Sequence, residues 1–150
     1  MTKTNVVDSV IKELINKTHN DDVNWISEKK RLQSMIANGS LSRRQWALKL
    51  IDDHCGDNRD VKILDYGCGT GILNLLLLLK GYSHVHGVDL VEKFADKILQ
   101  NMNFNNASFK LIDAEDRLPF DDATFDVINS SLVLEHVKNL DFYYSEAARV

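Results

Sequence analysis

Apolar residues recur along this chain at two spacings, and the change from one to the other divides it. Up to residue 55 the spacing is helical. Val6, Val7, Val10, Ile11, Leu14 and Ile15 repeat at the turns of a helix that Thr4 or Asn5 would cap. A second helix is predicted after Asp21-Asp22, with Trp25, Ile26, Leu32, Met35 and Ile36 inward and Asn38-Gly39 as its stop. A third, capped by Ser40 or Ser42, turns Trp46, Ala47, Leu50 and Ile51 inward and ends at Gly56. Trp25 and Trp46 are read as filling this helical core rather than lining a pocket.

From Val61 onward short apolar runs alternate with helical ones. Val61 to Asp65 reads as a buried strand, and Ile72 to Lys80 as the helix after it. Gly81 breaks that helix. His84 to Asp89 is a second strand, Glu92 to Asn101 a helix, and Ala107 to Ile112 a third strand. Asp113 to Asp122, with the only proline at Pro119, is a turn-rich loop before a fourth strand, Thr124 to Asn129. Phe142 to Val150 is a last helix capped by Asn139 or Asp141, with Tyr143-Tyr144 on its surface.

Strands alternating with helices predict an α/β fold: a Rossmann-like, doubly wound parallel sheet of about four strands, reached by right-handed crossovers. The expected organisation is an N-terminal helical appendage, 1–58, and a sheet domain, 59–150. Ligands of such sheets bind beyond the carboxyl ends of the strands. Asp65, Asp89 and Asp113 each fall at such an end.

Between the first strand and its helix lies Gly67-Cys68-Gly69-Thr70-Gly71. Glycines let backbone approach a ligand closely, and the first N–H groups of the following helix point into the same space. The turn is not the dinucleotide fingerprint: Ile72 stands where its last glycine belongs, and the third glycine comes one residue early. No lysine follows it, as a phosphate-binding loop would require.

Composition excludes more than it adds. At 150 residues, 44% apolar and 27% charged, the chain has the make-up of one ordinary globular domain. A net charge of −4 gives no support for nucleic-acid binding, and Lys29-Lys30-Arg31 with Arg43-Arg44 reads as a solvated face. No apolar run is long enough to cross a bilayer and the start of the chain is not a signal peptide, so the cytoplasm is the expected location. Cys55 and Cys68 form no disulfide framework, and Cys68 is read as a small residue that fits its turn. His84 and His86, two apart on one side of a strand, could pair on a metal but lack a third ligand. They are read as exposed residues where the strand begins.

These pieces together resemble the class I S-adenosylmethionine-dependent methyltransferases, in particular the branch that includes quinone-biosynthesis enzymes. The resemblance rests on Ile63 to Gly71, Gly87-Val88-Asp89-Leu90, Asp113-Ala114-Glu115-Asp116 with Leu118-Pro119-Phe120, Phe125-Asp126-Val127-Ile128, and Leu134-Glu135-His136-Val137. It covers roughly residues 60 to 150. It implies S-adenosyl-L-methionine as cofactor. Asp65, Gly67, Cys68, Gly69 and Gly71 would face its methionine portion, and Ser130 would lie nearby. Asp89 would accept the ribose hydroxyls, Leu90 would pack on the adenine, Asp113 would accept from its amino group and the Ala114 N–H would donate to a ring nitrogen.

Methyl transfer from a sulfonium is an in-line displacement, so alignment and exclusion of water are the main demands on the protein. His136 is the candidate general base, with a helix-end histidine as the plainer alternative. The acceptor implied is a small molecule. In the family resembled, further strands follow the position of Val150, so the chain is expected to be truncated, with the fourth strand at an open edge that a partner would cover. Two functions are thus set against each other: a small-molecule methyltransferase, and a cofactor-binding module without the acceptor half. A dehydrogenase is disfavoured by Ile72.

Overall fold

The computed structural model describes residues 42–91 and 106–150, together with Lys30 and Ser34. The first two predicted helices, apart from Lys30 and Ser34 of the second, the helix over 92–101 and Trp25 lie outside the described residues. The chain divides into two compact units, Met1–Gln45 and Trp46–Val150. The second contains the sheet.

Its elements in order are α1 (Ser42–Cys55), β1 (Lys62–Tyr66), α2 (Ile72–Leu79), β2 (His84–Asp89), β3 (Ala107–Leu111), β4 (Val127–Asn129), a one-turn 3-10 helix (Leu134–His136) and α3 (Leu140–Arg149). The strands form one sheet in the order β3-β2-β1-β4, and every pairing is parallel. This is the predicted Rossmann-like α/β architecture. Ile63, Leu64, Asp65 and Tyr66 of β1 are all buried, which requires neighbours on both edges and cover on both faces. A run apolar but for Lys62 and Asp65 meets that requirement.

The pleat sorts the residues. Asp65 pairs with Gly87 and Asn129, and Asp89 with Leu111, so these share one face. Leu64, Tyr66, His84, His86, Val88 and Ser108 share the other. On that second face Leu64, Tyr66, Val88, Leu118, Tyr143 and Val150 form a buried cluster.

Helix α2 is apolar nearly all round and buried from Ile72 to Leu78. It stops where Gly81 adopts φ 93°. Gly81 N–H then donates to Leu78 O at 3.0 Å and Tyr82 N–H to Leu77 O at 3.2 Å. That pair of bonds is a Schellman cap, and its left-handed residue favours glycine.

Four expectations need correction. In α1 the buried residues are Ala47, Leu48 and Ile51, whereas Trp46 is 65% and Leu50 47% exposed. The helix is rotated because Asp52 belongs to its inner side, where it accepts from Lys80 Nζ (2.6 Å) and the Tyr82 hydroxyl (2.9 Å). Burial alone would raise the Asp52 pKa, but those bonds and the nearby Arg59 outweigh it and hold the carboxyl below its usual range. A polar anchor of this kind leaves no mark in an apolar pattern.

The fourth strand begins at Val127, not at Thr124. Upstream of it, Ala123 and Phe125 donate to the carbonyls of Arg149 and Val150 at 2.7 Å each, so these residues turn to the end of α3 instead of extending β4. The last helix starts earlier than Phe142 because Asn139 Oδ1 accepts the Phe142 N–H at 3.1 Å, capping a helix that begins at Leu140. Tyr143 is buried rather than on the surface, while Tyr144 is exposed.

Gly87 is held to glycine by space, not by backbone angle. A Cβ there would lie 2.7 Å from Cys68 Sγ and 2.9 Å from Asn74 Nδ2. Gly87→Ala should therefore destabilise the domain by about 1–3 kcal/mol, the range for overpacking a closed core. Urea unfolding of the two proteins measures this, and equal midpoints would show that Cys68 and Asn74 yield freely.

Candidate cofactor-binding site

The parallel sheet brings the carboxyl ends of its strands to one rim, and the turn after β1 crosses that rim. Gly67, Gly69 and Gly71 adopt φ of 86°, 59° and 74°, which side chains strongly disfavour. Gly67 and Cys68 both donate to the Val88 carbonyl, at 2.8 and 3.0 Å, so the turn is sewn to β2 as it leaves β1. A Cβ on Gly67 would overlap the side chain of Val133, which packs directly on the turn. Gly71 caps α2 without any side-chain hydrogen bond. The first N–H groups of α2 therefore face the rim without a capping side chain.

The acidic strand ends differ in setting. Asp65 is 3% exposed, and its Oδ1 accepts from Asn129 Nδ2 at 2.7 Å. A carboxylate so buried requires such donors. Asp89 is half-buried; Oδ2 accepts the Gly69 N–H at 2.7 Å and Oδ1 the Val91 N–H at 3.2 Å. Past β3, Ile112 N–H donates to Asp89 O at 3.0 Å, which sets Asp113 beside the end of β2. Asp113 and Ala114 are exposed, as is Leu90.

Ser130 follows β4 and accepts from the Tyr143 hydroxyl at 2.5 Å. The Tyr143 ring stacks on Tyr66, centroids 4.1 Å apart, immediately before the glycine turn. Burial is the main reason its hydroxyl pKa is pushed up to about 12, so it stays a donor at neutral pH. His136 is exposed at the end of the 3-10 helix, and its backbone N–H donates to Val133 O at 2.8 Å.

Several rim residues escaped the sequence reading. Asn129 holds Asp65; a polar residue closing an apolar strand was its only signal. Thr70 Oγ1 in the turn and Asn74 Oδ1 just behind it are buried with no hydrogen-bond partner among the described residues. Tyr143 carried a clearer signal, because Tyr143, Ala147 and Val150 stand at helical spacing toward one core.

His84 and His86 lie on the opposite face from Asp65 and are half-buried, not exposed. His86 Nδ1 is 2.7 Å from Ser108 Oγ, and its ring tilts against Phe125. No cluster of three or more metal-ligating side chains occurs among the described residues.

A parallel sheet with a glycine-rich turn and acidic strand ends defines a Rossmann-like cofactor site. The residues fit an adenosyl sulfonium: glycines leave the turn open, Thr70 keeps a buried hydroxyl unpartnered, and the strand ends present carboxylates. Comparison with known proteins carries this further. Residues 64–150 match the family described as methyltransferase domain. The chain is 32% identical over 93 residues to the ubiquinone biosynthesis O-methyltransferase of Neisseria meningitidis serogroup C, a match covering 60% of this chain and 39% of that protein. It is 36% identical over 80 residues to the ribosomal protein L11 methyltransferase of Thermotoga petrophila, covering 53% and 30%. The crystal structure of YcgJ from Bacillus subtilis superposes with a TM-score of 0.61 at 27% identity, covering 71% of this chain and 46% of that one. The chain belongs to the class I S-adenosylmethionine-dependent methyltransferases. It spans 39% of the length of the Neisseria relative.

The setting of His86 makes stability depend on pH. Burial lowers its pKa below 6.5, and His84, Lys110 and Lys62 lower it further. The unfolded chain therefore binds the proton first, and stability present above pH 6.5 is lost as pH falls through the folded-state value. Urea midpoints should drop less between pH 7 and 5 in His86→Gln than in the parent chain; parallel profiles would clear His86 of this role.

Proposed function

We propose that this chain binds S-adenosyl-L-methionine at the rim and transfers its methyl group to a small-molecule nucleophile. The observation that carries the reading is the convergence of Asp65, Asp89 and Asp113 at the ends of three adjacent parallel strands, around a turn with glycine at 67, 69 and 71. Bound there, the cofactor supplies a methyl group on positively charged sulfur, already activated for displacement.

The chain's own residues bind and orient. Asp65 and the Gly67–Gly71 turn, Cys68 included, hold the methionine portion, its ammonium toward the carboxylate and its carboxylate toward free N–H groups. Ser130 borders that end. Asp89 accepts the ribose hydroxyls, Leu90 covers the adenine, Asp113 accepts from its amino group and the Ala114 N–H donates to its ring. His136 takes a proton where the acceptor's nucleophile carries one. In this reading residues 59–150 are the cofactor domain and 1–58 an appendage.

The small-molecule acceptor draws on the name of the Neisseria relative, whereas the Thermotoga relative is named for a ribosomal protein. A cytoplasmic location accords with the described helices, none of which is long and apolar enough to cross a membrane. Among the described strands β4 ends the sheet, and a covering partner there is part of the proposal. The chain's span of 39% of its relative supports a second reading, a cofactor-binding module that does not turn over alone.

Calorimetric titration with S-adenosylmethionine and with a nicotinamide dinucleotide tests the binding claim. Saturable binding of the first alone is expected; binding of the second alone would overturn the reading. Asp89→Ala should weaken binding by about 1–3 kcal/mol, the loss of hydrogen bonds to a charged acceptor. An unchanged affinity would remove Asp89 from the site. Transfer of labelled methyl to a small-molecule extract, with protein fractions alongside, then separates enzyme from binding module.

A further inference from the structure

The loop that carries Asp113 and Ala114 has no regular structure, and Asp113 through Arg117 are all exposed. Its course is fixed from its two ends. At the near end Ile112 N–H is bonded to β2. At the far end the tripeptide Leu118-Pro119-Phe120 is gripped by charged side chains.

Glu146 Oε2 accepts the Leu118 N–H at 2.7 Å. Arg149 Nη2 donates to Leu118 O at 3.0 Å, and Nη1 to Phe120 O at 2.8 Å. The remaining carbonyl, of Pro119, accepts from Lys110 Nζ at 3.1 Å. Three consecutive carbonyls thus each accept from a cation. Glu146 and Arg149 also bind one another in a fork, Nε to Oε1 at 2.9 Å and Nη2 to Oε2 at 2.7 Å, and Arg149 reaches Asp122 at 2.9 Å. Glu146 is 6% exposed.

Charge-assisted bonds are strong and directional, so this tripeptide cannot change register without breaking several of them. The holding helix is itself tied to the rim, because Tyr143 on α3 stacks on Tyr66 and bonds Ser130. The loop is therefore referenced to the glycine turn through α3. Folding alone needs only that Leu118 be buried; gripping every backbone carbonyl around it fixes the position of what precedes it.

Resting on the function proposed above, we infer that Glu146 and Arg149 are positioning residues for recognition of the adenine ring, acting through the Asp113–Leu118 loop. They touch no cofactor atom themselves. Selectivity for the base then depends on an ion pair on a distant helix as well as on Asp113 and Ala114.

The test compares two ligands by calorimetry, S-adenosylhomocysteine and S-inosylhomocysteine, which carries a carbonyl in place of the adenine amino group. The parent chain should prefer the adenine ligand by about tenfold or more, the worth of one or two hydrogen bonds. Arg149→Lys keeps the charge but loses the fork. It should weaken the adenine ligand by about tenfold while leaving the hypoxanthine ligand nearly unchanged, and Glu146→Gln should do the same. Lys110→Met, at an exposed position expected to fold in any event, should lower the preference by about threefold.

A merely structural role would weaken both ligands equally, and an unaltered preference in these variants overturns the inference. Asp113→Ala separates the two levels. If it abolishes the preference while the α3 variants and Lys110→Met leave it intact, only the inference fails. If the parent chain shows no preference, or Asp113→Ala leaves it unchanged, the adenine assignment fails and the inference with it.

Discussion

Everything at the rim depends on parallel pairing around a fully buried β1. Because β2 and β4 both run alongside it in the same direction, their carboxyl ends cannot be anywhere but beside its own. Antiparallel pairing of the same strands would send Asp89 and Asn129 to the opposite edge. The hydrogen bonds that fix the pairing also fix the turn, since Gly67 and Cys68 continue the ladder onto the Val88 carbonyl after the strand has ended. The glycine turn is in this sense the last rung of the sheet.

Close packing then decides what the turn looks like. Val133 comes down on Gly67 from the segment after β4, while Cys68 and Asn74 fill the space over Gly87. Glycine serves two purposes within a few ångströms: at 67, 69 and 71 it permits left-handed backbone, and at 87 it makes room. The consequence is a site whose wall is main chain. The acidic side chains of β1 and β2 are already bonded, buried Asp65 to Asn129 and half-buried Asp89 to the Gly69 N–H, so the rim is shaped before any ligand arrives.

The second face shows the opposite economy. There the apolar cluster around Leu64, Val88 and Tyr143 does the packing, and a few charged side chains tie loops to it. The Glu146–Arg149 fork joins α3 to the loop after β3, as Asp52 on the other side of the sheet joins α1 to the end of α2. Burying such groups is costly unless each is fully bonded, which these are. Their return is definition: irregular segments acquire fixed positions that apolar contact alone leaves loose.

Local periodicity determined the strands and the helix after β1, because a buried strand or helix must repeat apolar residues at its own spacing; the order of the sheet came from the tertiary structure. The glycine turn and acidic strand ends were legible for the same reason, each being a local rule of backbone or topology. Legibility ended where distant groups meet. Nothing in Trp46 or Leu50 betrays that Asp52 turns α1 toward Lys80, nor in Thr124 that the end of α3 captures the chain before β4. Asn129 beside Asp65, Tyr143 under Ser130 and Arg149 on the Leu118 carbonyl were decided by tertiary structure alone. A polar side chain gives no sign of its partner until the fold has brought the two within 3 Å, since hydrogen bonding depends on distance and direction while sequence pattern records only burial.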